Sequence, residues 1–510
     1  MICATSARTS DAGAGRDDAT KQTVMLAPHP LIVILALGAC ESFDLDHCIL
    51  NGRVIRSRHS GEVAAMVGDE LFDDLPEQVG PEREGHEGAP RLRQPERDQI
   101  ELRAVDLDSL LALDHPARLI WGYVAGLDLS RLYATIKARE GTPGHPPIDP
   151  RLMLGLWLYA TSDGVGSARA LARLCESHDA YRWLCGGVSV NHHTLSDFRM
   201  AHPELLDELL AKNVAALAAA GLIDLDTLAQ DGVRVRAAAG SSSFRRRAKV
   251  EEHLAEARRV VARLKQEVEQ DPAVNERRRK AAQERAARER EQRVQAAHEK
   301  LAELEEQRKR REKTSAKATA KQGQPRVSLT DPEARVIKMP DGGFRPAYNV
   351  QIASAVEQQI IVAIDVTAAG SDAGLVRPML EGLRERDIRP SHHLADGGFT
   401  KKADIEWAHD QEITLYCPPP KSKHGTDPFA PRHSDSCAVR QWRERMASDE
   451  GIARYKRRVI HECINARLHQ WRLSQFTVRG IAKARTVARW FALANNILGA
   501  HRLITAAATE

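Results

Sequence analysis

The sequence lacks the features that mark several classes of protein. Its eight cysteines are scattered, and no two of them have CxxC spacing, which argues against a zinc ribbon or a thioredoxin-like site. Nothing in their spacing suggests a disulfide scaffold, so we expect an intracellular, reducing compartment. The apolar run at residues 31–40 is shorter than the roughly 20 residues that cross a bilayer. It also lacks the basic flank of a signal peptide.

Aromatic residues and net charge are also low. Aromatics make up 5% of the 510 residues, so the cores are expected to be mostly aliphatic. The net charge of +4 is by itself a weak argument for nucleic acid. The apolar share of 42% is enough to bury real cores, and the length predicts about three domains.

Residues 1–97 form the least regular part of the sequence. Residues 1–65 contain no sustained period, and a linker rich in Pro, Gly and Glu follows Met66. Two interpretations stay open for 1–65: a disordered tail, or an over-extended start with Met66 as the real beginning. Either one predicts that 1–97 is an extension and linker in front of the folded part.

Residues 98–224 are predicted to form a helical DNA-binding domain. Apolar residues recur at spacings of three and four from Leu107 onward, as on helices that bury one face. Ser167 is predicted to cap a helix that ends at Gly186 and Gly187. Short helices around tight turns suit a helix-turn-helix-like module. Its candidate phosphate contacts are Arg169, Arg173, Arg182 and Arg199; the alternative is that these arginines cover ordinary solvated helix faces.

Residues 244–326 stand out by their charge. They contain 25 Lys and Arg against 15 Asp and Glu, so the rest of the chain is net acidic. A thin apolar stripe and Pro272 between two halves predict a long helical hairpin, similar to a coiled coil. The positive excess could follow a DNA backbone, or the charges could simply be a solvated surface.

The sequence on either side of this insertion alternates between strands and helices. A strand is predicted to begin at Thr227, and two neighbouring strands follow the insertion. Ser371 and Asp372 are predicted to cap the next helix, and a fourth strand ends at Asp396. From about Ser448 the chain is predicted to be helical, with a break near Arg479. The fold class predicted for residues 225–505 is therefore α/β, with a mixed sheet between helices.

Three carboxylates in this part suit metal-dependent phosphoryl transfer. Asp231 lies on the first strand, Asp396 at the end of the fourth, and Glu462 inside a basic helix. DNA chemistry of this kind favours two divalent ions about 3.5–4 Å apart, and Mg²⁺ prefers carboxylate oxygen. Taken singly, the aspartates could be turn residues and the glutamate a surface ion pair. Their combination favours a metal site.

The spacing around Glu462 is the most specific pattern in the chain. Tyr455, Arg458 and Glu462 are separated by two and three residues, and His469 lies seven beyond Glu462. On a helix all four would share one face. A carboxylate flanked by cations suits a polyanionic substrate, because arginine grips a phosphate with two hydrogen bonds.

These motifs resemble those of bacterial insertion-sequence DDE transposases, which carry a Y-(2)-R-(3)-E-(6)-K signature and a ribonuclease-H-like catalytic domain. DGVRVRAAAG around Asp231 and HLADGGF around Asp396 resemble the strands of that family's two aspartates. The likeness extends over about residues 98–505. One departure is His469, which stands where the family usually has lysine.

The resemblance implies cleavage at the ends of a mobile element and joining to target DNA, with two Mg²⁺ ions or with Mn²⁺. It makes Asp231, Asp396 and Glu462 both catalytic residues and metal ligands. The phosphate contacts that it implies are Tyr455, Arg458, His469 and Arg479.

Terminal inverted repeats and target DNA are the expected partners, bound by a homodimer in the cytoplasm at the nucleoid, away from membranes. Two alternatives stay open: an inactive copy that only binds element ends, and a ribonuclease-H-like nuclease without strand transfer.

Overall fold

The computed structural model describes most of the chain beyond the first hundred residues. The described residues from Leu107 onward form one compact unit. The predicted extension and linker at 1–97 lies outside the described residues. These are 104, 106–141, 145–270, 274–314, 323–420, 425 and 427–509.

The first part of the unit consists of a short 3₁₀ helix, Asp108–Leu110, and seven α-helices. Proline and side-chain caps start several of them; Asp149, for example, accepts a hydrogen bond from the Arg151 N–H at the start of the third α-helix. The helices are α1 Pro116–Ala125, α2 Ser130–Ala134, α3 Pro150–Ser162, α4 Ala168–Ser177, α5 Asp179–Cys185, α6 His192–Ala201 and α7 Pro203–Ala219.

The helix predicted between Ser167 and Gly186 is in fact two helices. Ser167 caps α4 as predicted, and Gly186 ends α5 with a left-handed φ of 55°. Between them His178 is extended, and its ring accepts a hydrogen bond from the Ala180 N–H. This cap starts a new helix where the sequence pattern alone indicated continuity.

These helices bury a core around Trp157, which is fully inaccessible and shares its cluster with Trp490 from the last helix of the chain. Arg199, predicted to contact phosphate, is 6% exposed in this core. It donates to the Gly166 carbonyl at 2.8 Å, and its guanidinium lies 4.5 Å from the Trp157 ring centre. Arg199 is therefore a structural residue, whereas Arg169 and Arg173 on α4 are exposed.

A six-stranded mixed sheet follows the helices. β5 lies antiparallel to β1 on one edge and to β4 and β6 on the other, while β1, β7 and β8 run parallel to one another. The two strands predicted after the insertion are β5 and β6, and they pair. The strands of the sheet are β1 Thr227–Arg236, β4 Arg335–Lys338, β5 Phe344–Ala355, β6 Ile360–Thr367, β7 His392–Ala395 and β8 Thr414–Tyr416.

Helices cover both faces of this sheet. The helices are α10 Val376–Arg384, α11 Lys402–Asp410, α12 Cys437–Ala447, α13 Asp449–Lys456, α14 Val459–Gln470 and α15 Ile481–Thr509. On one face Ala353 and Ala355 of β5 join a core with α7, α10, α11 and α12. On the other face Val350 and Ile352 join a core with α14 and α15, because successive strand residues point to opposite sides.

The charged insertion is joined to the rest of the chain by two short paired strands, which we call the neck. β2 Phe244–Arg245 pairs with β3 Val327–Ser328. Helices α8 Arg247–Gln270 and α9 Val274–Thr314 lie against each other beyond it, as the sequence predicted. Near the neck, Val250, Ala297, Leu301 and Val327 form a small buried cluster. We call α8 and α9 the arm.

The last helix, α15, closes the outer edge of β6. Asn496 accepts a hydrogen bond from the Ile361 N–H at 2.8 Å and donates to the Ile361 carbonyl at 2.7 Å. Its side chain therefore satisfies the backbone groups that a further strand would otherwise pair. In the described part of the chain, no helix is both long and apolar enough to span a membrane.

Candidate active site

The parallel pairing of β1 with β7 brings two of the candidate carboxylates together. Gln230 pairs with Ala395, so the next residues, Asp231 and Asp396, lie beside each other at the carboxyl end of the pairing. The Asp396 side chain accepts a hydrogen bond from the Gly398 N–H at 2.8 Å and so caps the turn that follows β7. A Cβ at Gly398 would lie 3.0 Å from Asp396 Oδ1, so a glycine suits this close turn.

Both carboxylate oxygens of Asp231 are engaged. Oδ1 accepts from the Gly232 N–H at 2.8 Å, and Oδ2 accepts from Asn465 Nδ2 at 2.8 Å. Burial raises the pKa of Asp231, and the nearby Asp396 adds to this effect. The Gly232 N–H and the Arg458 guanidinium oppose it without cancelling it.

Arg458 joins this pair to Glu462. Its Nη1 lies 3.5 Å from Asp231 Oδ2, and its Nη2 lies 3.5 Å from Glu462 Oε1. Its Cζ is 6.0 Å from the centre of the Tyr455 ring, so Tyr455, Arg458 and Glu462 are neighbours, as their spacing predicted. Burial alone would lower the pKa of Arg458, but Asp231, Tyr455 and Asp396 outweigh burial and raise that pKa.

The helix predicted around these residues is interrupted. α13 ends at Lys456 and α14 begins at Val459, so Arg458 lies in the turn between them. Backbone bonds of the three-residue type hold this turn, from Arg458 N–H to the Tyr455 carbonyl at 3.0 Å and from the His461 N–H to the Arg458 carbonyl at 2.8 Å. The turn places Arg458 at the amino end of the helix that carries Glu462.

The predicted cage of three carboxylates is not formed as a set of metal ligands. Within the described ranges, no group of three or more His, Cys, Asp or Glu side chains is arranged to hold a metal ion. The Glu462 side chain is 60% exposed and contacts Arg458, whose single positive charge lies between the carboxylates of Asp231 and Glu462. The donor set nevertheless fits Mg²⁺ chemically, since all three groups offer carboxylate oxygen and two of them adjoin in register.

The other two predicted phosphate contacts lie further along the chain. His469 is exposed in the last turn of α14, and Arg479 is exposed in the segment between α14 and α15. Within the described structure, neither side chain makes a hydrogen bond or ion pair with the three carboxylates.

Asp372, which the sequence predicted to cap a helix, belongs instead to a polar cluster beside Gly232. Asp372 does not cap α10; it accepts hydrogen bonds from Arg234 Nη2 at 2.6 Å, Asn349 Nδ2 at 2.7 Å and Gln351 Nε2 at 2.9 Å. Burial alone would raise the pKa of Asp372, but these three donors lower it. The cluster crowds Gly232, where a Cβ would lie 2.5 Å from Asp372 Oδ1.

Sequence reasoning also missed the contacts that seat α14. Buried His461 Nδ1 lies 2.7 Å from Ser354 Oγ on β5, and Asn465 contacts Asp231. The spacing held a signal for Asn465, because it follows Glu462 by three residues and so lies near the same helix face. No local signal identified Ser354 as the partner of His461.

Two segments of the chain match family models. Residues 105–201 match a transposase domain (DUF772), and residues 326–497 match a transposase DDE domain. Asp396 and Glu462 lie within the second match, whereas Asp231 and the arm lie between the two. Searches of curated proteins and of solved structures each gave no match.

Both of these models describe transposase domains. Together they support DDE transposase function in DNA transposition, and more particularly an insertion-sequence transposase. The DDE domain also supports a nuclease or transposase enzyme.

Proposed function

We propose that this chain cuts DNA at the ends of an insertion sequence and joins the freed ends to target DNA. Asp231, Asp396 and Glu462 are its catalytic carboxylates in this proposal. The observation that carries it is the meeting of β1, β7 and α14 at Arg458, which contacts Asp231 and Glu462 while Asp396 lies beside Asp231. Residues remote in the sequence thus meet at one end of the sheet.

We also propose a division of the chain into two domains and an insertion. A ribonuclease-H-like catalytic domain spans residues 225–505, with the charged insertion at 244–326 within it, and a helical DNA-binding domain spans 98–224. The mixed sheet with helices on both faces supports the first domain. The exposed Arg169 and Arg173 on α4 support the second.

Asp231, Asp396 and Glu462 would hold the two Mg²⁺ ions, for which Mn²⁺ would substitute. Such ions activate the attacking oxygen and stabilise the leaving oxygen of a phosphodiester. The chain itself fixes the Asp231 carboxylate between the Gly232 N–H and the Asn465 amide. Arg458 supplies a positive charge beside the carboxylates and can donate two hydrogen bonds to a phosphate.

Two reactions follow one another at this site in our proposal. Water attacks first and frees a 3′-hydroxyl, which then attacks the target strand, and no covalent link between protein and DNA forms. Tyr455, His469 and Arg479 would contact DNA phosphates beside Arg458. Because two element ends must be handled together, we expect a homodimer on DNA at the nucleoid.

Cleavage of end DNA tests the enzymatic assignment. The intact chain, Glu462→Gln and the control Glu450→Gln, an exposed glutamate on α13, are incubated with element-end DNA and Mg²⁺. Glu462→Gln should lose at least about 10³-fold of the cleavage rate and still bind end DNA, while Glu450→Gln should cleave normally. Equal cleavage by all three proteins would remove Glu462 from the catalytic set.

One observation favours a second function, that of an inactive protein that only binds element ends. Glu462 faces Arg458, and the three carboxylates are not gathered as metal ligands in the described structure. In that case the intact chain would bind end DNA without cutting it at any Mg²⁺ or Mn²⁺ concentration. Cleavage without joining to target DNA would instead indicate a nuclease.

A further inference from the structure

Beyond the three carboxylates, we infer that Asn465 is a positioning residue for Asp231. The inference rests on the function proposed above, because it concerns the orientation of a catalytic carboxylate. Asn465 Nδ2 donates to Asp231 Oδ2 at 2.8 Å. Asn465 thereby links the Glu462 helix to the first strand of the site through an uncharged amide donor.

The helix that carries Asn465 is firmly seated. Ile464 and Leu468 are 0% and 1% exposed in the core beneath it. Arg467 on the same helix donates to Asn495 Oδ1 at 2.7 Å and to Gln359 Oε1 at 2.8 Å. A donor on a helix held at several points can fix the orientation of its partner, as supporting groups do around metal ligands.

Asn465 and Arg458 act on the same oxygen in different ways. Arg458 lies 3.5 Å from Asp231 Oδ2 and brings a positive charge, whereas the Asn465 amide brings a directed hydrogen bond and no net charge. With the Gly232 N–H on Oδ1, the two N–H groups fix the rotation of the carboxylate. Each oxygen keeps a second lone pair, which stays available for a ligand.

The Oδ1 atom of Asn465 accepts no hydrogen bond from another described residue. Within the described structure the amide therefore acts through its Nδ2 group, which donates to Asp231 Oδ2.

The test uses the full chain and two replacements, Asn465→Leu and Asn465→Ala, so that either one can carry the result. The control is Gln470→Leu, an exposed amide on the same helix. Mn²⁺ affinity is measured by calorimetry without DNA, and cleavage of end DNA gives kcat and KM. The melting temperature is recorded for each protein.

We expect Mn²⁺ affinity to fall about 10–100-fold in both Asn465 variants. The kcat should fall as well, with little change in KM for DNA, because the hydrogen bond that is removed orients Asp231 and does not touch DNA. Both Asn465 variants should melt somewhat below the intact chain, because the buried Asp231 Oδ2 loses a donor, and Gln470→Leu should match the intact chain throughout.

Unchanged Mn²⁺ affinity and kcat in the folded variants would overturn the inference, as would a lower melting temperature with unchanged Mn²⁺ affinity. Asp231→Asn separates this failure from failure of the proposed function. If Asp231→Asn is inactive while both Asn465 variants behave normally, only the role of Asn465 is wrong. If Asp231→Asn itself cuts DNA normally, the catalytic assignment fails.

Discussion

The Arg458 guanidinium lies 3.5 Å from the Asp231 carboxylate, although the whole charged arm separates the two residues in the sequence. This contact joins the first strand of the sheet to the turn before the Glu462 helix. It balances part of the buried negative charge, but burial still dominates the pKa of Asp231.

Asp231→Asn should abolish cleavage without destabilising the fold near neutral pH. Because burial raises the pKa of Asp231 above its ordinary value of 3.8, the folded chain holds this proton more tightly than the unfolded chain. Ionisation of Asp231 therefore lowers the free energy of unfolding as the pH rises from 3.8 through the raised value. The asparagine avoids this loss, so we expect an unchanged or higher melting temperature at neutral pH.

Melting curves in acidic and neutral buffer, together with the cleavage assay, check this prediction. Asp410→Asn is the control, because its side chain is 75% exposed at the end of α11. A melting temperature for Asp231→Asn well below that of the control would mean that the carboxylate serves the fold.

Gly232→Ala should destabilise the protein by about 1–3 kcal/mol, as overpacked sites do. The new Cβ would lie 2.5 Å from Asp372 Oδ1, 2.6 Å from Gln351 Nε2 and 2.9 Å from Asn349 Oδ1, and these groups are tied to one another by hydrogen bonds. Gly370→Ala is the matched control, because nothing lies within 4 Å of its Cβ position. Denaturant unfolding that gives equal stability for both variants would contradict the crowding.

Two buried histidines should make the fold sensitive to acid. Burial lowers the pKa of His393 to about 4 and that of His461 to about 3, so both stay neutral in the folded chain well below pH 6.5. The unfolded chain takes up these protons first. The free energy of unfolding should therefore fall by roughly 1.4 kcal/mol per pH unit for each histidine as the pH drops below about 6.5.

His461→Gln should make this acid loss shallower, because glutamine can still bond to Ser354 and does not titrate. His409→Gln, with a side chain 48% exposed on α11, should leave the loss unchanged. Unfolding measured across acidic pH distinguishes the two variants, and parallel curves for both would argue against a neutral buried His461.

Shortening the arm should weaken DNA binding while the rest of the chain still folds. Arg258 Nη2 lies 3.0 Å from Gln295 Oε1, so α8 and α9 are side by side there and a short Gly/Ser linker can replace residues 264–287. The cluster of Val250, Ala297 and Leu301 at the neck stays intact. The deletion removes six Lys and Arg together with five Asp and Glu. It should make the salt dependence of binding shallower, by about 0.9 in the log–log slope for each phosphate that the arm no longer neutralises.

Fluorescence anisotropy with labelled end DNA over a range of salt concentrations measures this slope. An unchanged slope, with cooperative unfolding retained, would mean that the arm's charges are only a solvated surface.

The elements on which the carboxylates lie could be predicted from local sequence. Alternation predicted β1 with Asp231, and the segment HHLADGGF predicted a strand that ends at Asp396, because strand patterns are visible within a few residues. The pairing of β1 with β7 could not be predicted this way, since register depends on contacts between distant segments. The meeting of Asp231 with Asp396 therefore became visible only in the structure.

The breaks between consecutive helices and the uncharged partner of the Asp231 carboxylate were harder to predict from the sequence. Neither proline nor glycine marks the turn between α13 and α14 at Arg458, and His178 divides α4 from α5 by a side-chain cap that histidine seldom provides. Asn465 was overlooked because the pattern around Glu462 was considered for its charges. Asn465 is uncharged, so a search for charged groups does not select it, although it lies three residues after Glu462 and near the same helix face.

Asn496 has a consequence for how copies of this chain can associate. Its side-chain amide is hydrogen-bonded to both the N–H and the carbonyl of Ile361. An extended peptide therefore cannot pair with β6 at that position. The homodimer proposed above would therefore associate through surfaces other than this position of β6, such as helix faces or the arm.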